Sequence, residues 1–126
     1  MPEGSHLARW YRLRYQEPVP RLREYLDDRG RSAFGRWFDG LTTPAALKVR
    51  TALVRLEACS TSALKSVGKG VHEVRIDFGP GYRVYLGQDG PDLVILLGGS
   101  AKARQRRAIA EAQERWADYR ARRRQG

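Results

Sequence analysis

The stretch from Val71 to Gly99, VHEVRIDFGPGYRVYLGQDGPDLVILLGG, constrains the fold more than any other part of the chain. Val74, Ile76 and Phe78 alternate with Glu73, Arg75 and Asp77, and Tyr82, Val84 and Leu86 alternate with Arg83 and Tyr85. A two-residue period of this kind marks half-buried β-strands. Gly79-Pro80-Gly81 combines a fixed φ with two residues that tolerate positive φ, and Gln88-Asp89-Gly90-Pro91 carries the Asp-Gly signal of a second hairpin turn. The third run, Leu93 to Leu97, is apolar on both faces and is expected inside the sheet with a layer covering each side. The three runs predict an antiparallel meander whose last strand is the most buried. The alternation also sorts charge. With Val74, Ile76, Phe78, Val84 and Leu86 turned to the core, Glu73, Arg75 and Arg83 stand together on the opposite face.

A chain of 126 residues is large enough for one domain with a core of its own. Cys59 is the single cysteine, and His6 and His72 are the only histidines, so no zinc-like spacing exists and neither metal nor cofactor is expected. No signal peptide or long apolar run is present, which predicts a cytoplasmic protein without membrane association. Lysine and arginine total 24 against 14 acidic residues, a formal charge of +10. Such an excess points to a polyanionic partner, and its bias to arginine suits phosphate, which the planar guanidinium fork matches.

Residues 1–19 read as an N-terminal extension. Leu7 to Tyr15 alternates like an edge strand, or serves as an arm ordered by a partner, with Trp10, Tyr11 and Tyr15 as candidate anchors. Arg21 to Leu26 is the expected first strand of the domain. Ser32 is a candidate N-cap for a helix whose Phe34, Trp37, Phe38 and Leu41 recur at helical spacing. Thr43 followed by Pro44 opens a second helix to about Ala58, with Ala46, Leu47, Val49, Leu53, Val54 and Leu56 as its apolar positions. Ser60 to Gly70 reads as a loop that delivers Lys65 and Lys69 beside the meander. After Leu97, Gly98-Gly99 is expected to break the strand and Ser100 to cap a last helix. In that helix Ile109, Ala112, Trp116 and Tyr119 share one face, and Lys102, Arg104 and Gln105 sit in the first turn. Residues 122–126 read as a basic tail beyond a domain spanning 20–121.

The order strand, helical hairpin, three-stranded meander, C-terminal helix defines an α+β domain. Its motifs, Phe34-Gly-Arg-Trp37-Phe-Asp-Gly-Leu41, Lys65-Ser-Val-Gly68 leading to Val71-His-Glu-Val-Arg75-Ile76, Gly79-Pro-Gly-Tyr82-Arg83-Val-Tyr85 and Val94-Ile-Leu-Leu-Gly98-Gly99 leading to Lys102, resemble the RelE/ParE superfamily of type II toxins. Within it the HigB-like addiction module killer group is the nearest likeness. The resemblance covers about Leu22 to Tyr119.

It implies a toxin of a toxin-antitoxin pair that inhibits translation by cutting mRNA on the ribosome without metal. In that chemistry the 2′-hydroxyl attacks the adjacent phosphate and leaves a cyclic phosphate. By resemblance, Arg75 and Arg83 belong to the catalytic set, Arg83 as the residue that holds the scissile phosphate. Lys65, Lys69, Lys102 and Arg104 would guide the RNA backbone. Arginine does not deprotonate in proteins, so Glu73 is the candidate proton acceptor, while His72 points to the other face of its strand. The alternative within the same superfamily is a ParE-type toxin that binds DNA gyrase and has no nuclease activity. Either activity implies a cognate antitoxin, expected to be a helix-turn-helix protein.

Overall fold

A computed structural model describes residues 21–58 and 64–125. The Leu7 to Tyr15 segment with its aromatic anchors, Cys59 and the start of the expected loop lie outside the described residues. The elements in chain order are β1 (Arg21–Glu24), α1 (Ala33–Asp39), α2 (Thr43–Ala58), β2 (Lys65–Gly68), β3 (Val71–Ile76), β4 (Tyr82–Gln88), β5 (Leu93–Ala101), a 3-10 turn (Lys102–Arg104) and α3 (Gln105–Gln125). The domain is therefore mixed α+β, with a five-stranded sheet and three helices.

The sheet order is β1-β5-β4-β3-β2, antiparallel throughout except for the parallel pairing of β1 with β5. The doubly apolar run fits its place, for β5 lies between two strands and is covered on both sides. Val94 and Leu96 pack with Phe34, Val49, Leu53, Leu56, Ile76, Val84 and Leu86 under α1 and α2. Ile95 and Leu97 pack with Tyr25, Val71, Tyr85, Ala112 and Trp116 under α3.

Several sequence expectations are corrected. Lys65–Gly68 is a strand rather than loop, because Gly68, Lys69 and Gly70 all adopt positive φ and turn the chain tightly into β3. The first strand ends at Glu24; Leu26 only bridges to Ser32. Ser32 caps α1 as expected, accepting from the Gly35 N–H at 2.8 Å. The cap of α2 falls one residue earlier than expected, with Thr42 Oγ1 accepting from the Ala45 N–H at 3.4 Å. Its buried face is Ala45, Val49, Leu53 and Leu56, whereas Leu47 and Val54 are more than half exposed. Arg122 and Arg123 are part of α3 rather than a free tail. Arg122 donates to the Leu26 carbonyl and to Tyr25, and Arg123 pairs with Asp89 at 2.9 Å.

Gly98-Gly99 does not end β5. The strand continues to Ala101 through a bulge opposite Tyr85 and Leu86, and Ser100 is buried within it rather than capping a helix. The two glycines answer a packing need. A methyl group at Gly99 would lie 2.3 Å from the Trp37 indole, so only hydrogen admits that ring against the strand.

Candidate cation cavity at the ends of the central strands

The β3–β4 pairing sets Arg75 directly opposite Arg83, and the β4–β5 pairing sets Arg83 opposite Ser100. Cross-strand partners share a face, so the register that buries Val84 and Ile76 on one side sends both arginines to the α3 side. At the end of these strands a cavity of about 590 Å³ is lined by Arg75, Asp77, Tyr82, Arg83, Lys102 and the Gly79-Pro80-Gly81 turn. The 3-10 turn is tied to that corner by the Lys102 N–H, which donates to the Gly81 carbonyl at 2.8 Å. A methyl group on Gly81 would stand 3.7 Å from both Arg83 Nη1 and Lys102 Cβ, so the turn packs against the Arg83 tip and the base of the Lys102 side chain.

The two arginines differ in freedom. Arg75 is exposed, while the Arg83 side chain is 6% exposed and lies beside the fully enclosed carboxylate of Glu73. Arg83 Nε stands 3.8 Å from Glu73 Oε2, an ion pair without a direct hydrogen bond. Gln105, in the first turn of α3, donates from Nε2 to the same oxygen at 3.2 Å. Among the described residues Arg83 Nε and Glu73 Oε1 have no hydrogen-bond partner. Beside them Tyr85 and Ser100 share a buried hydrogen bond of 3.0 Å, and burial, more than any neighbour, raises the Tyr85 pKa.

The expected site residues separate accordingly. Arg75, Arg83 and Lys102 come together. Glu73 is corrected from proton acceptor to buried counter-ion, since a carboxylate with no exposed surface cannot meet a substrate hydroxyl in this arrangement. Lys65 is exposed and pairs in register with Glu73, one diagonal step from Arg75. Lys69 sits at the opposite end of β3, beyond Val71, which is itself about 13 Å along the strand from Arg75, so it does not join the cavity. Arg104 lines a neighbouring cleft with Trp37 and Tyr82. His72 is half-buried, on the face opposite Glu73.

Asp77 and Tyr82 are the cavity residues that periodicity alone did not single out. In sequence Asp77 is one more polar alternate and Tyr82 one more core position. Their signal is their place on either side of the Gly79-Pro80-Gly81 turn, which brings both to its mouth. The arrangement offers three cations, one carboxylate and one phenol around a single space, a set suited to binding a phosphodiester. Among the described residues no three His, Cys, Asp or Glu side chains come together as metal ligands. Nor is any described helix long and apolar enough to cross a membrane.

An uncharacterized protein of Haemophilus influenzae is 40% identical to this chain over 80 residues, an alignment that covers 63% of this chain and 81% of that protein. The chain belongs to that protein's family. No family model matches the chain, and no solved structure matches it.

Proposed function

We propose that this protein is a RelE/ParE-type toxin of the HigB-like group, an endoribonuclease that cuts mRNA on the ribosome. The observation that carries the proposal is the convergence of Arg75, Arg83 and Lys102 on one cavity. The element order and the motif GPGYRVY, which builds one wall of that cavity, support it from the sequence side. In this reading the scissile phosphate sits on the Arg83 tip and Lys102, which offset the charge that grows on its oxygens as the 2′-hydroxyl attacks. Arg75, nearer solvent, holds the same phosphate or the next. Asp77 is the cavity's carboxylate and takes the role of proton acceptor that Glu73 cannot fill, while the Tyr82 phenol, which lines the same cavity, is the candidate donor to the departing 5′-oxygen.

Binding of gyrase without chemistry is the competing function, and induction in a bacterial host separates the two. The nuclease reading expects protein synthesis to stop promptly with no rise in the DNA-damage response. A damage response with translation intact would support the gyrase reading instead. Lys102→Ala and Arg75→Ala are each expected to remove roughly 1.5–3 kcal/mol of transition-state stabilisation, and so to relieve growth arrest while circular dichroism stays unchanged. Folded variants that arrest growth as strongly as the parent would overturn the assignment.

A further inference from the structure

β1 covers only the first part of β5. Arg21 to Glu24 pair with Leu93 to Leu96, and among the described residues no strand pairs the same edge from Gly98 to Ala101. That open edge is the floor of a cleft whose walls are α1 and α3. One part of the cleft, about 380 Å³, is lined by Arg31, Arg36, Trp37, Gly98, Gly99 and Arg115 among others. The next, about 580 Å³, is lined by Trp37, Tyr82, Ser100, Arg104 and Arg107. Trp37 lines both parts, and Tyr82 lines the second and the cation cavity, so the three spaces are neighbours separated by two rings. The ring centroids are 6.2 Å apart at 65°.

Charge along this series favours an anion. Five arginines, Arg31, Arg36, Arg104, Arg107 and Arg115, face two carboxylates, Asp27 and Glu111. Both carboxylates are already held in i,i+4 pairs, Asp27 with Arg31 and Glu111 with Arg107 and Arg115. Arg36 and Arg104 make no salt bridge to a described residue. Cations that follow a groove, interleaved with aromatic rings, are the pattern by which proteins hold a single strand of nucleic acid.

We propose that the α1–α3 cleft is a track for single-stranded RNA leading into the cation cavity, with Tyr82 and Trp37 as stacking surfaces and Arg36, Arg104 and Arg107 as backbone contacts. The proposal rests on the nuclease reading and extends it by naming where the rest of the strand lies. Adjacency to the cavity and the excess of arginine favour RNA over a peptide strand added to the open β5 edge.

The test uses the full chain and two fluorescent 2′-O-methyl oligoribonucleotides, a dinucleotide and a hexanucleotide, which cannot be cleaved. Anisotropy is expected to show the hexanucleotide bound on the order of tenfold or more tightly than the dinucleotide. The Arg36→Ser/Arg107→Ser variant, altered only at exposed positions that line the cleft and not the cavity, should lose that increment while binding the dinucleotide as the parent does. An Arg50→Ser/Arg55→Ser control, at exposed positions of α2 that line none of the three spaces, should keep it. A hexanucleotide bound no tighter than the dinucleotide overturns the track and leaves the cavity reading intact, as does an increment that the control removes equally or that survives in the cleft variant. Failure of the folded parent to bind either probe overturns both.

Discussion

Arg83 faces two ways: its Nε edge lies against the enclosed Glu73 carboxylate, and its tip lines the cation cavity. Removing it takes a cation from the cavity and also strands a buried negative charge. A variant inactive because it is unfolded would then be mistaken for a catalytic one. Breaking a buried pair from one side typically costs about 3–5 kcal/mol. Arg83→Ala is accordingly expected to lower stability by about 3 kcal/mol, the lower end, because the pair lacks a direct hydrogen bond. The double variant Arg83→Ala/Glu73→Gln is expected to recover part of that loss without recovering activity. Urea denaturation of the four proteins in the cycle measures the coupling; strictly additive losses would mean that Glu73 does not hold Arg83 in place.

At the scale of elements, two tryptophans lie on glycines, one from each side of the sheet. Trp37 of α1 rests on Gly99 of β5 and Trp116 of α3 on Gly87 of β4, where methyl groups would approach the indoles to 2.3 and 2.4 Å. Gly99→Ala is expected to cost about 1–3 kcal/mol by overpacking, read as a lower denaturation midpoint. An unchanged midpoint would show that α1 can shift freely on the sheet. At its other end α3 is clamped to the β1 side. Tyr25 donates to Asp118 at 2.6 Å, and Arg122 donates to both. Burial foremost, then the hydrogen bond to Asp118, raises the Tyr25 pKa from 10.0 to about 12. Because the folded value is the higher one, this clamp contributes its full stability below pH 10 and loses it as pH rises toward 12. The denaturation midpoint should therefore fall between pH 10 and 12, and fall less steeply in Tyr25→Phe. Identical profiles for the two proteins would exclude Tyr25 as the source.

For the whole molecule, the meander was legible because alternation, turn residues and the doubly apolar run all point to the same sheet. The helix faces that touch glycine were not, since Gly98-Gly99 carries the local signal of a strand end and only the long-range approach of Trp37 explains its use inside β5. β2 was hidden for a similar reason: Lys-Ser-Val-Gly is too short and polar to show a period, and pairing with β3 decides it. At the candidate site, alternation told correctly that Glu73, Arg75 and Arg83 share a face. It could not tell depth, which depends on α3 laying Gln105 over Glu73.

The central claim is that the space bounded by Arg75, Arg83 and Lys102 works on an RNA phosphodiester. Mapping 5′ ends of cellular transcripts within minutes of induction tests it most directly. New ends inside translated reading frames, present with the parent and absent with folded Lys102→Ala, are the expected result. An unchanged set of ends in cells that nonetheless stop growing would contradict it.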